Sequence, residues 1–313
     1  MVVLWDEQGR GREVPRINAY LMDAVEVLLP SRSVPLQPDT QPMVYGSKPT
    51  DAGLLSNISP DEAERIRRED PVAAKYLRRL AGAEEVINGQ ERWCLWLVDA
   101  TREDMRTSQE LSRRIAGVKA MREASSDAQT RKDAAKPHLF QENRQPSSAY
   151  LAVPSVSSEA RRYVPMARLT PDVIASNLGF CIADATPYTF GILQSSVFNT
   201  WIATVSGRLE KSFRISNTIT YNNFPFPAPT PTQRETISAA AQAVITARDD
   251  CAPDTLAQMY NPGDEHLYKE LFAVHEVLDV AVLSAYGLPH NATSEMIMAE
   301  LFQLFQTHAG EMR

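Results

Sequence analysis

The segment Arg208–Asn217 reads RLEKSFRISN. Run as one strand, its side chains alternate between two faces. Arg208, Glu210, Ser212, Arg214 and Ser216 then share one face, and Leu209, Lys211, Phe213 and Ile215 share the other. The second face is mostly apolar and suited to packing. The first offers the side chains that read base edges: arginine to guanine, glutamate to cytosine, serine to either. A solvated outer face of an antiparallel sheet carries the same pattern and is the commoner case. The segment alone leaves both readings open.

Other chemistries can be tested against the same sequence. Asn222-Asn223-Phe224-Pro225-Phe226-Pro227 looks like a reordered copy of the Asn-Pro-Pro-aromatic loop with which amino-group methyltransferases hold a flipped base. That loop needs adjacent prolines, and the chain has no Pro-Pro dipeptide. A cofactor turn for S-adenosylmethionine needs glycines between a strand and a helix. Gly9-Arg10-Gly11 sits instead in a charged stretch with no such context. No acidic residue stands two before a lysine, as a common metal-dependent nuclease requires. His275-Glu276-Val277-Leu278-Asp279 resembles a zinc-protease helix with its second histidine replaced. A working zinc site needs a third ligand and an open position, so a structural His275–Asp279 pair is the better expectation. No nucleophile elbow occurs. The reading assigns no catalytic residue, no metal site and no cofactor to this chain.

The elements that must position the 208–217 segment follow from the rest of the sequence. Its 313 residues suit about two domains. Three well-separated cysteines, Cys94, Cys181 and Cys251, offer no disulfide framework and read as buried thiols in a reducing cytoplasm. No window reaches the ~18 apolar residues of a membrane span. Net charge is −7, but residues 231–313 hold 12 acidic against 4 basic side chains, while residues 142–230 hold 5 against 7. A nucleic-acid face needs to be basic only locally, so the acidic total does not exclude one.

Strands are expected at Val25–Leu29, Glu91–Val98, Tyr150–Val153, Tyr163–Val164, Leu178–Ile182, Arg208–Ile215 and Thr218–Tyr221. Ser59-Pro60-Asp61-Glu62 starts a helix to about Arg68, and a second is expected over Val72–Leu80. Thr101 caps a long spacer helix; its span 101–136 carries nine basic and six acidic residues, read first as a solvated face. Thr186-Pro187 starts another helix, helix continues over Gln194–Val205, and Gly207 ends it. After Pro231 the chain is helical: residues 233–248 capped by Thr232 with Glu235, a stripe of Leu271, Val274, Leu278, Ala281 and Ala285 stopped by Gly287, and a last helix from Ser294 to His308. The prolines at 225, 227, 229 and 231 read as a stiff exit linker anchored by Phe224 and Phe226. The fold class is α+β. Three parts are expected: residues 1–141 with the spacer, a core over 142–230, and an acidic helical subdomain over 231–313.

Several stretches, in order along the chain, resemble the target recognition region of large single-chain type II restriction-modification enzymes and adenine-specific DNA methyltransferases. They are Met43–Asp51 (MVYGSKPTD), Ile87–Leu97 (INGQERWCLWL), Tyr163–Met166 (YVPM), Ser206–Leu209 (SGRL) and Ser216–Pro227 (SNTITYNNFPFP). His275–Asp279, Ala281-Val282 and Tyr286-Gly287 match as well. The resemblance implies a sequence-specific duplex-DNA recognition module, whose catalytic domain and S-adenosylmethionine site lie outside these residues. It implies base readout by Glu210, Ser212 and Arg214, and backbone contacts from Arg208, Lys211, Arg161 and Arg162. The expected partners are double-stranded DNA and a methyltransferase catalytic domain, in cis or in trans, in the cytoplasm and without a membrane. The alternative is a module that docks such a domain with little DNA affinity of its own.

Overall fold

The structure is a computed structural model that describes residues 2–5 and 9–311. It bears out the mixed α+β class. The chain forms two compact units, one from residues 44–153 and 167–183, the other from residues 1–43, 154–166 and 184–313. Both are discontinuous in sequence. No described helix is long and apolar enough to cross a membrane.

The first unit holds two small sheets. One orders its strands Met43–Tyr45, Gly179–Ala183, Tyr150–Pro154 and Ala167–Leu169. The other places Leu77–Ala81 between Trp93–Leu95, antiparallel, and Ile174–Ala175, parallel. Leu55, Ile58, Ile66, Leu80, Cys94, Leu95, Leu111 and Val118 form its apolar core. The helix Pro60–Glu69 starts as its sequence dictates: Ser59 accepts from the Glu62 amide, and Pro60 takes the first helical position.

The helix expected over 72–80 stops at Ala74, and Leu77–Ala81 is a strand. Partners on both edges outweigh the helix preference of Ala, Lys, Leu and Arg there. The spacer begins at Thr101 as expected but breaks at Ser108 into Arg102–Thr107 and Gln109–Glu123. Ser108 caps the second helix by accepting from the Leu111 amide, and its own hydroxyl donates to Asp70 at 2.6 Å. The spacer's charged face is also not simply solvated. Arg122 is 1 % exposed. Its guanidinium donates to the carbonyls of Pro49, Thr50, Asp133, Lys136 and Leu139 at 2.8 to 3.2 Å. Arg114 is buried against Glu110, Glu62 and the Leu54 carbonyl.

The second unit opens with a hairpin, Val2–Trp5 against Gly11–Val14. The expected strand at 25–29 does not form, and Leu28 is exposed; the prolines that follow leave it no partner strand. Nor do Tyr163 and Val164 form a strand: side chains take the Val164 amide and carbonyl, through Asn199 at 3.2 Å and Gln194 at 2.6 Å. Helices Pro187–Leu193 and Ser196–Val205 follow, with Thr186 and Ser195 as caps. Ser206, not Gly207, caps the second helix at its C-terminus, and Gly207 begins a strand. Thr218–Tyr221 belongs to a π-helical turn, Asn217–Tyr221, in which the Ser216 hydroxyl accepts from Ile219 and Thr220 amides. A local serine cap there competes with the extended chain that Thr-Ile-Thr-Tyr would favour.

The segment after it is not an exposed linker. Residues 221–227 are all buried. Phe224 meets Phe198, Trp201 and Phe226 edge-on with centroids 4.9 to 5.9 Å apart. The next helix, Pro231–Asp250, starts one motif earlier than expected, at a Thr230–Gln233 capping box. It packs with Lys269–Ala285 and Pro187–Leu193. Gly191 makes this approach possible, because a Cβ there would lie 2.9 Å from Ile237 Cγ2 and 3.1 Å from Ala241 Cβ. Gly287, at φ 69°, ends Lys269–Ala285 as expected. The last helix is Ser294–Glu311. Cys94 and Cys181 are buried free thiols and Cys251 is half-buried.

Candidate nucleic-acid interface

The segment Arg208–Asn217 begins as a hairpin. Gly207–Leu209 pairs antiparallel with Ser212–Arg214, which pairs in turn with Val156–Ser158. A two-residue turn, Glu210-Lys211, reverses the chain. Its Glu210 adopts φ 53°, a left-handed conformation that a tight hairpin normally gives to glycine or asparagine. The turn corrects the single-strand alternation. Leu209 faces across to Ser212 and Ser158, Gly207 to Arg214 and Val156, and Arg208 to Phe213 and Ser157. Ser212 and Arg214 do share a face, beside exposed Leu209. Arg208 lies on the opposite, packing face, and Glu210 and Lys211 occupy the tip.

The predicted residues differ in how far they are already engaged. Glu210, Lys211 and Arg214 are exposed, with no side-chain hydrogen bond or ion pair among the described residues. Ser212 is half-buried. Arg208 is taken up by the fold. Its guanidinium lies 4.4 Å from the Phe213 ring centroid, donates to the Ala203 and Ser206 carbonyls, and sits 3.6 Å from Glu159.

Arg161 and Arg162 lie where the strand Val156–Ser158 leaves the sheet. They line a groove of about 270 Å³ with Glu159, Asn199, Thr200, Thr204, Phe213 and Ser294. Arg161 is half-buried, and its buried Nε has no hydrogen-bond partner among the described residues. Burial pushes its pKa down. Arg162 is exposed, 3.4 Å from Glu276 and stacked near Tyr163 and Phe272. The sheet thus brings the hairpin and the arginine loop together through Phe213, which belongs to both.

The sequence reading missed the Ser196–Val205 helix as a wall of this groove. Ser196, Thr200 and Thr204 recur every four residues, with Asn199 and Ala203 beside them. That small polar stripe on an otherwise apolar helix was the available signal.

The His275–Asp279 expectation is corrected in its partners. The two do not bond each other; they act through Tyr163. His275 stacks on the Tyr163 ring at 4.1 Å and its Nε2 lies 2.6 Å from the Tyr260 hydroxyl. Asp279 accepts from the Tyr163 hydroxyl and from the Ser196 amide, both at 2.7 Å. Burial lowers the His275 pKa well below its ordinary value and raises those of Asp279 and Tyr163. Among the described residues no group of three or more His, Cys, Asp or Glu could hold a metal ion.

The site thus sets a hairpin with exposed polar side chains beside the groove of Arg161 and Arg162, in a compact unit that also holds the C-terminal helices. Residues 23–228 match the family described as "MmeI, target recognition domain", and residues 229–312 match "MmeI, C-terminal domain". The chain belongs to the MmeI target recognition domain family. It is 34 % identical over 293 residues to DNA methyltransferase A of Bacillus subtilis (strain 168), covering 94 % of this chain and 33 % of that protein. It is also similar to a chain in the solved structure of the type IIL restriction-modification enzyme MmeI in complex with DNA. That match has TM-score 0.89 and 36 % identity, and covers 96 % of this chain and 40 % of the other. The chain therefore spans about a third of the length of the curated relative.

Proposed function

We propose that this chain is the duplex-DNA recognition module of a longer adenine-N6 methyltransferase or restriction-modification enzyme. One observation carries the reading. In a chain of the MmeI target recognition family, Glu210, Lys211 and Arg214 stand exposed and unengaged on a hairpin next to a groove containing Arg161 and Arg162. Exposed charged side chains without partners are free to exchange water for base edges.

In this reading Glu210, Ser212 and Arg214 contact bases, with Arg214 and Ser212 side by side and Glu210 reaching from the tip. Lys211, Arg161 and Arg162 contact phosphates, which fix register without specifying sequence. Arg208 anchors the hairpin to the Ser196–Val205 helix and adds positive potential to the backbone contact. The module then holds the duplex so that a catalytic domain, in cis or in trans and carrying S-adenosylmethionine, can flip the target adenine. The division of labour falls near residue 230: recognition before it and support by the acidic helices after it. The enzyme works in the cytoplasm, where the DNA is.

The test compares point variants on a set of duplexes. Lys211→Ala is expected to weaken all sequences alike and to reduce the salt dependence by about one phosphate contact. Arg214→Ala is expected to cost about 1–3 kcal/mol on the preferred site and relax selectivity at one base pair. An Arg214→Ala chain that ranks duplexes as the parent does removes the readout role. Tight association with a methyltransferase domain, without DNA affinity, would favour the docking alternative.

A further inference from the structure

The groove that carries Arg161 and Arg162 is bridged from below by a buried carboxylate. Asp279 lies on the helix Lys269–Ala285 and is 8 % exposed. One of its oxygens accepts from the Tyr163 hydroxyl, and the other from the Ser196 amide. Tyr163 directly follows the two arginines, and Ser196 starts the helix that forms the opposite wall. One side chain from the C-terminal part thus ties both walls together.

The loop is gripped at further points. Asn199 donates to the Arg162 carbonyl at 2.6 Å and accepts from the Val164 amide. Gln194 donates to the Val164 carbonyl, and Arg248 to the Met166 carbonyl at 2.8 Å. Arg248 also donates to the Tyr260 hydroxyl, at 2.7 Å, and to Gln194. His275 completes the support by stacking on Tyr163.

A network of this kind is an expensive way to join two helices and a loop. Burying a carboxylate and a guanidinium costs more than burying apolar side chains of similar size. What polar partners supply in return is direction, because each hydrogen bond fixes an angle as well as a distance. The parts fixed most closely are those flanking the arginine pair. We infer that Asp279 is a positioning residue for DNA-backbone binding: through Tyr163 and Ser196 it sets the separation of the groove walls and the aim of Arg161 and Arg162. The inference rests on the DNA-recognition reading above and assigns the C-terminal helices a part in it beyond packing.

The test uses the 313-residue chain and a mixed-sequence duplex of about 30 base pairs, with affinity measured across a salt series. Tyr163→Phe keeps the ring on His275 and removes only the hydroxyl. It should weaken binding roughly fivefold to tenfold near 0.1 M salt and flatten the dependence of log K on log salt by about 0.9, the loss of one phosphate contact. The loss should be the same on duplexes of different sequence. Asp279→Ala should do the same or more. Asp279→Asn, which can still accept from Ser196 and donate to the Tyr163 oxygen, should restore most of the slope. A purely structural role would lower the melting temperature and leave the salt slope alone, because the slope counts phosphate contacts in the folded chain. A folded Tyr163→Phe chain with parental affinity and slope overturns the inference while leaving DNA recognition intact. A parent without salt-dependent DNA binding overturns the reading beneath it as well.

Discussion

The buried residues around Tyr163 make the sharpest statement about pH. His275 is fully buried, and its pKa is held well below the ordinary value by burial first and then by the Arg248 and Arg162 charges. The unfolded ring takes a proton near pH 6.5, whereas the folded ring resists it. Its contribution to stability is therefore present above about pH 6.5 and is lost as pH falls from there toward the folded value. His138 is depressed by burial too and acts in the same direction. Asp279 acts oppositely: its raised pKa makes its contribution largest in acid and lost as pH rises through the folded value. Thermal unfolding at pH 7.5 and 5.5 should show a lower melting temperature in acid, and His275→Gln should shrink that drop. A variant with the full parental drop would assign it elsewhere. Arg122 supports a second expectation. Five carbonyls accept from its guanidinium, and three of them, those of Pro49, Asp133 and Lys136, accept a backbone amide as well, so Arg122→Met should destabilise the chain by about 1–3 kcal/mol, the cost of leaving buried acceptors unpaired.

Single elements show where sequence patterns suffice and where they do not. Helix starts written in local chemistry, such as Ser59-Pro60, Thr101 and Thr186-Pro187, appear where the residues place them. Elements decided by distant partners do not. Leu77–Ala81 is a strand because two others flank it, and nothing within those five residues says so. The hairpin was hidden for a related reason: its turn, Glu210-Lys211, contains none of the glycine, asparagine or proline that marks a turn. Ser212 and Arg214 lie on one side of the turn and share a face as strand alternation predicts, whereas Arg208 lies on the other side of it and faces Phe213. The left-handed Glu210 gives a direct check. Glu210→Gly should stabilise the chain by up to about 1 kcal/mol in thermal unfolding, since glycine adopts that conformation without the Cβ clash, and it should alter duplex preference. Gly191→Ala should do the reverse. Its gain in helix propensity, about 1 kcal/mol, is outweighed by overpacking against Ile237 and Ala241, which typically costs about 1–3 kcal/mol.

Across the whole molecule, the family match covers the recognition part and the helical part in one continuous run, residues 23 to 312. The fold does not follow that linear order. Residues 154–166 and 184–230 share a compact unit with the acidic C-terminal helices, while residues 167–183 return to the other unit. Charge and composition along the chain could mark the acidic tail but could not show that it lies beneath the arginine loop. That contact depends on Asp279 meeting Tyr163, 116 residues away. On the proposal above, this chain reads DNA sequence through its hairpin. The decisive measurement is selection of duplexes from a random pool with the parent chain and with Arg214→Ala. The parent should enrich a short defined site, and Arg214→Ala should lose preference at one position of that site while keeping the others. Salt-dependent binding with no enriched site, or an identical site from both chains, would contradict it.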